Sequence, residues 1–270
     1  MCELLALSFN LPVAPCVSFK GFRKRGEDNP DGWGLAFYPD KSVQIFKEPL
    51  SAKESFLSEF VEKYHKIKSQ IFIAHVRKAS KGSVYFRNTH PFNRELNGRE
   101  YVFAHNGTLL NYEKKLKLGR FRPIGETDSE YVFCHLLSCI EERKIKEWGE
   151  GDFKWLSSKL RKINEFGSFN CLLSDGKHLF AYHDMNGYNA LQFLHRKPPY
   201  SEIRLIDEDW RIDLGEEKDP RQKGYIIATR RLTNEEWKSF RYGELMVFKD
   251  GELIYSNKRK IIKYYHSKPT

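Results

Sequence analysis

Met1-Cys2-Glu3-Leu4-Leu5-Ala6-Leu7-Ser8-Phe9 opens the chain, and how this stretch is read decides the rest. Residues 2–9 alternate loosely between apolar and small or polar side chains, as a buried β-strand does. The stretch is a poor secretory leader: it is short, Asn10 and Pro12 interrupt it, and Glu3 stands where a leader carries basic residues. Cys2 directly follows the initiator methionine, so removal of Met1 makes it the first residue and puts its thiol beside its own α-amino group. A free α-amino group titrates at about pH 8 and can serve as a base near neutrality. A nucleophile paired with its own terminal amine is one route to covalent catalysis. A small residue at a strand start is the plainer reading, and Cys2 alone does not separate the two.

Outward from this strand, residues 10–32 read as a long polar loop and 33–38 and 43–47 as two short strands around Pro39-Asp40. Apolar residues at helical spacing predict a helix over 52–64, and 70–76 is a short apolar strand. A polar loop over 77–99 leads to a strand at 101–104 that runs into His105-Asn106-Gly107. Thr127 and Glu130 have the spacing of a capping box, which starts a helix running to about residue 143. A second helix covers 153–166. Strands follow at 169–174, 178–183, 190–195, 224–229 and 244–255, the last folded at Asp250-Gly251. Residues 197–222 are a charged insertion. Strands, then helices, then strands predict an α+β fold with antiparallel sheets, within one domain over 1–270.

The 270 residues carry 46 Lys and Arg against 36 Asp and Glu, a formal charge of +10. The densest basic runs, 20–25 and 258–263, are short, so a solvated basic surface explains them better than a nucleic-acid interface. No apolar run reaches the roughly 18 residues of a membrane span. Five scattered cysteines, Cys2, Cys16, Cys134, Cys139 and Cys171, contain no C-x-x-C pair, which argues against a zinc knuckle and for a reduced, cytoplasmic protein. The sequon at Asn106-Gly107-Thr108 is then accidental. His75, His90 and His105 could suggest a metal, but no acidic partner stands at ligand spacing, so no metal and no cofactor is expected.

Four further segments bear on Cys2. Residues 73–80 are a buried strand that ends in Arg77, and an arginine there can grip a carboxylate with a two-pronged fork. In His105-Asn106-Gly107 an amide side chain and a glycine N–H could hold an oxyanion, although Asn-Gly is also a common turn. Asp128, in the first turn of the capped helix, could hold an ammonium or simply answer the helix dipole. Together these make a nucleophile, an anion fork, two oxyanion donors and a cation acceptor. An arginine and an aspartate on one pocket suit an α-amino-acid zwitterion, and a cysteine beyond its side chain suits attack on a side-chain amide, as in glutamine.

The chain resembles the class II glutamine amidotransferases of the N-terminal-nucleophile (Ntn) hydrolase superfamily. The matching pieces are Met1-Cys2, Asn29-Pro30-Asp31-Gly32-Trp33-Gly34, residues 75–80, Thr89-His90-Pro91-Phe92, residues 105–108 and 125–130, in the family's order through the first half of the chain. Residues 227–232 and Trp237 match more weakly. The similarity is to the stand-alone branch, without a fused synthase. It implies a four-layer αββα sandwich of two antiparallel sheets. It also implies Cys2 as nucleophile with its freed amine as base, Asn106 and Gly107 as oxyanion donors, Arg77 on the substrate α-carboxylate and Asp128 on its ammonium. Ser80 stands where the family commonly has threonine and keeps the hydroxyl. His75, His90, Asp31 and Trp33 are expected to line or support the pocket. The implied substrate is glutamine or a γ-glutamyl compound, with ammonia passing to a partner subunit or to solvent. A silent binding module on the same fold remains as an alternative, favoured if Met1 is retained. A basic nucleic-acid-binding protein would leave the Cys2, Arg77, Asn106 and Asp128 set unexplained.

Overall fold

A computed structural model describes residues 1–261; the basic run 258–263 thus lies partly outside the described residues. In chain order the first half contains β1 (Glu3–Val13), α1 (Cys16–Lys24), β2 (Trp33–Phe37), β3 (Gln44–Glu48), α2 (Phe56–Lys63), β4 (Ser69–Val76), β5 (Phe92–Leu96), β6 (Arg99–Leu109) and α3 (Asp128–Glu142). The second half contains α4 (Glu150–Asn164), β7 (Gly167–Ser174), β8 (Leu179–Tyr182), β9 (Gln192–Arg196), β10 (Glu202–Arg204), β11 (Arg211–Asp213), α5 (Leu214–Glu217), β12 (Gly224–Ala228), β13 (Lys238–Ser239), β14 (Leu245–Lys249) and β15 (Glu252–Ser256).

The strands form two antiparallel sheets, ordered β13-β9-β12-β1-β4-β2-β3 and β15-β14-β8-β7-β6-β5, plus a β10-β11 ribbon. Strand periodicity divides the apolar residues among three cores. Leu5, Leu7 and Phe9 of β1 pack with Trp33 and Leu35 of β2 against Phe19 and Phe22 of α1 and Val61 of α2. Tyr101 and Phe103 of β6 and Phe169 of β7 pack against α3 and α4. Leu4, Ala6, Ala36 and Ile73 of the first sheet meet Val102, Ala104, Leu172 and Ala181 of the second. Helices, sheet, sheet and helices make the four-layer αββα sandwich of an α+β protein, as the sequence leads one to expect.

Two departures from the sequence reading have local causes. The polar stretch 10–32 contains α1, whose signal is weak because Pro15 at its N-cap offers no side-chain cap and its first turn has no acid. Phe19 and Phe22, one turn apart, bury it nonetheless. At α3, Thr127 caps as expected, its Oγ1 accepting from the Glu130 N–H at 3.2 Å. The Glu130 carboxylate does not close the box. It accepts from the Gly125 N–H at 2.6 Å and from Arg94 at 2.5 Å.

Candidate active site

Cys2 immediately precedes β1. Because Leu4 and Ala6 face the space between the sheets, strand alternation turns Cys2 to the same side. Its Sγ lies 3.2 Å from both the Lys78 N–H, which donates to it, and the Lys78 carbonyl, to which it donates. Its carbonyl is taken from the opposite sheet and its flanking loop: Asn106 Nδ2 donates at 2.5 Å and Asn189 Nδ2 at 3.4 Å. Burial pushes the Cys2 thiol up from its ordinary value, against the opposing pull of the Lys78 N–H, the chain's α-ammonium and Arg77.

Arg77 follows β4. Its N–H donates to Gly32 O at 2.7 Å, and its carbonyl accepts from the Asp31 N–H at 3.0 Å. Asp31 in turn accepts from the Ala79 N–H at 2.8 Å, so Asp31 braces the strand end. The buried guanidinium donates to the carbonyls of Lys81, Gly82 and Ser83 at 3.0–3.2 Å. Its Nε and one remaining Nη1 hydrogen are outside those contacts. Arg77 and the Cys2 thiol lie within electrostatic reach of each other. Ser80, exposed on the same loop, has its hydroxyl 3.4 Å from that of Thr108 on β6.

Asn106 and Gly107 lie on β6, in register with Asn170 and Phe169 of β7. A Cβ at Gly107 would come within 2.0 Å of Ser168 O and 2.7 Å of His105 Nε2, so only glycine lets the two strands close here. His105 faces the helix side: its Nε2–H donates to Ser168 O at 3.2 Å, which leaves Nδ1 to accept from the Ser129 hydroxyl at 2.8 Å. Asp128 is buried at the start of α3 and accepts from the N–H groups of Leu109 at 2.7 Å and Ser129 at 2.9 Å. It also acts electrostatically on Lys81 and His105. Cys2, Arg77, Ser80, Asn106, Gly107 and Asp128 are thus gathered by contacts that join β1, the 77–83 loop, β6 and α3.

The histidines and Trp33 stand differently. His75, on the inter-sheet face of β4, stacks on His90 with ring centroids 4.2 Å apart. Both are buried, and none of their four ring nitrogens has a hydrogen-bond partner among the described residues. Burial, with help from Arg77 and His105, pushes His75 down to about 3, and burial with the His75 charge holds His90 well below its ordinary range. Both rings are neutral at pH 7. Gly34 makes room for the pair, because a Cβ there would lie 2.3 Å from His90 O. Trp33 is not brought to the group. It is fully buried on the helix-facing side of β2, its ring centroid 5.9 Å from that of Phe19, with its Nε1–H on Glu48. Strand alternation sends position 33 to the face opposite Gly34 and His75.

Sequence reading noted residues 227–232 only as a weak match and gave no role to the residues that anchor Cys2. Glu3, buried, binds Arg25 at 3.3 Å and Arg230 at 2.7 Å and accepts from the Thr229 hydroxyl. Thr229 also accepts from the Leu4 N–H at 3.2 Å, and Arg25 reaches Asp207 of the insertion at 3.2 Å. These partners are far apart in sequence, and no short motif links them. On the other flank, Asn170 donates to the carbonyls of Tyr188 and Asn189, which delivers Asn189 to Cys2; Tyr188 lies within electrostatic reach of the thiol.

No group of three or more His, Cys, Asp or Glu side chains among the described residues is arranged to hold a metal ion, and no described helix is long and apolar enough to cross a membrane. Two face-to-face antiparallel sheets between helix layers make the αββα arrangement of the Ntn-hydrolase fold, here with a cysteine immediately before a central strand. The sequence profile of the class II glutamine amidotransferases matches residues 1–270, and the chain belongs to that family. It is 56% identical over 275 residues to a protein of Methanocaldococcus jannaschii described as uncharacterized, covering 100% of this chain and 77% of that one. An Escherichia coli protein provisionally named a glutamine amidotransferase is 41% identical, covering 94% of this chain and 100% of its own. The crystal structure of a predicted glutamine amidotransferase from Pseudomonas aeruginosa superimposes with a TM-score of 0.70 at 31% identity, over 94% of this chain and 100% of that one. In these last two relatives the fold is a free-standing unit. The glutamine phosphoribosylpyrophosphate amidotransferase of B. subtilis shares the fold at a TM-score of 0.64 and 17% identity, over 95% of this chain and 49% of its own.

Proposed function

We propose that the chain, one domain freed of Met1, hydrolyses the γ-amide of glutamine or of a γ-glutamyl compound through a thioester at Cys2. The observation that carries this reading is the convergence on Cys2 of groups from both sheets: Asn106 and Asn189 on its carbonyl, and Arg77 within electrostatic reach of its thiol. The freed α-amine takes the thiol proton. The sulfur attacks the amide carbon, and the developing oxyanion is met by Asn106 Nδ2 and the Gly107 N–H, a contribution of about 3 kcal/mol for a donor of this kind. The amine returns the proton as the carbon–nitrogen bond breaks and ammonia leaves. Water, deprotonated by the same amine, then releases glutamate and restores the thiol. Arg77 grips the α-carboxylate with its remaining N–H groups and Asp128 takes the α-ammonium. Ser80 joins the loop to β6, and His75 and His90 support the floor. The protein acts in the cytoplasm, and ammonia passes to an acceptor on a partner subunit or to water.

The test is the intact mass of the purified protein before and after a thiol-reactive glutamine analogue, beside glutamate release by wild type and Cys2→Ala. Loss of Met1, one adduct mapped to Cys2, and no turnover by a folded Cys2→Ala protein are expected. Equal turnover by the variant would overturn the mechanism. A binding module without turnover is the second reading. It draws on the three Arg77 donor contacts already made to loop carbonyls, and it predicts retained Met1 and no adduct.

A further inference from the structure

At the end of β1 away from Cys2, the fold opens a cleft of about 640 Å³. Its walls come from the first turn of α1, the end of α2, and Trp210 and Ile212 of the charged insertion. Lys20, Lys63, Lys68 and Lys218 line it, with His65. Glu62 is the one carboxylate in that lining, and it is held by Lys20 at 3.0 Å and Arg23 at 3.4 Å. The α1 N-terminus adds positive potential: Pro15 provides no side-chain cap and the first turn has no acid to offset the dipole. An independent feature points to a ligand. Gln222 lines the cleft and is only 6% exposed, yet its Nε2 meets no acceptor among the described residues. The Tyr200 hydroxyl donates to the Gln222 carbonyl, so the backbone there is fixed while the side-chain amide is left with an unused donor. Trp210 is half-buried and has a flat apolar face.

We propose that this cleft binds a phosphate-bearing metabolite of nucleotide size with a planar ring. The volume lies within the range of small-molecule sites, about 300–1,000 Å³. The lysines and the α1 terminus take the phosphates, the Gln222 amide donates to an oxygen of the ligand, and Trp210 stacks on the ring. Nothing in the amide chemistry at Cys2 requires this site. The insertion that walls it also reaches the nucleophile's strand: Glu208 binds Lys20 at 3.4 Å, and Asp207 binds Arg25, which holds Glu3. Occupancy therefore bears on the segment that anchors β1.

Titration calorimetry of the full chain at low ionic strength, with ATP, inorganic pyrophosphate and adenosine as probes, tests the proposal. ATP should bind once per chain and compete with pyrophosphate. Lys68→Glu should weaken both by about tenfold, and Trp210→Ala should weaken ATP while sparing pyrophosphate, with circular dichroism unchanged in each variant. No binding of ATP or pyrophosphate at millimolar concentration overturns the proposal, as does adenosine binding as tightly as ATP. ATP binding that both substitutions leave untouched also overturns it, because it puts the nucleotide elsewhere.

Discussion

At the scale of single residues, the candidate chemistry rests on a thiol and a guanidinium that burial makes reluctant in opposite senses. Burial raises Cys2 above its ordinary 9.0, so in the chain that retains Met1 little thiolate exists at pH 7. Its alkylation by iodoacetamide should quicken about tenfold per pH unit and still be rising at pH 9. In the chain without Met1 the profile should bend near the titration of the α-amine, at about pH 8. A plateau below pH 8 in the Met1-bearing form would contradict the assignment. Label should fall on Cys2 first, since Cys16, Cys134, Cys139 and Cys171 are all buried. Arg77→Lys keeps the charge but loses the planar fork, so KM for glutamine should rise about ten- to a hundredfold with a smaller change in kcat, read from steady-state kinetics. The positions of these two residues, though not their roles, were legible in the sequence because Cys2 precedes and Arg77 follows a strand whose hydrophobic pattern is plain. Trp33 was misplaced because proximity in a motif says nothing about face, and alternation along β2 turns it to the helices.

At the scale of elements, β1 carries the argument. It is the central strand of its sheet between β12 and β4, and its first residue, Glu3, is clamped by Arg25, Arg230 and Thr229. Arg25 is almost wholly enclosed, its side chain 2% exposed, so Glu3→Ala takes one of two carboxylates from a buried cation and leaves it Asp207 at 3.2 Å and the Arg230 and Arg231 carbonyls. Loss of one charged hydrogen-bond partner of this kind costs about 1.5–3 kcal/mol. Urea unfolding should show that drop, whereas Glu27→Ala, with its carboxylate about half exposed in the pair with Lys53, should shift stability by less than about 1 kcal/mol. Neither the clamp nor α1 was readable in advance. The clamp joins positions more than two hundred residues apart, and α1 owes its stability to burial of Phe19 and Phe22 rather than to capping or composition. The helix at α3 was readable because Thr127 provides a local cap, but the Glu130 half of the box was taken by Arg94 and Gly125 from outside the helix.

At the scale of the whole molecule, the inter-sheet space holds neutral histidines that the unfolded chain would protonate. His75 titrates at about 3 in the folded protein and near 6.5 when unfolded, so the unfolded state binds the extra proton between those values. Folding stability is therefore intact above pH 6.5 and falls as the pH drops below it, by up to about 1.4 kcal/mol per pH unit from this ring alone. Urea midpoints at pH 7.5, 6 and 4.5 should trace that loss, and His75→Met should flatten it by about the same amount. An unchanged slope would show that His75 is not the sensor. Antiparallel sheets with segregated helices followed from the order of strands and helices and the four-layer plan from the family resemblance, whereas the pairing of His75 with His90 depends on which strands become neighbours in space. One further consequence follows from the sandwich. Cys2 rides on one sheet and Asn106 on the other, and the layer between them mixes small side chains such as Ala6, Ala36, Ala104 and Ala181 with larger ones such as Leu4, Ile73, Val102 and Leu172. The gap between the sheets is then a mechanical setting of the candidate site, like the spacing of a vice. A wedge such as Ala104→Leu, or mild heat, should pull Cys2 and Asn106 out of alignment while every strand keeps its partners, and the proposed turnover would fade before any melting is seen.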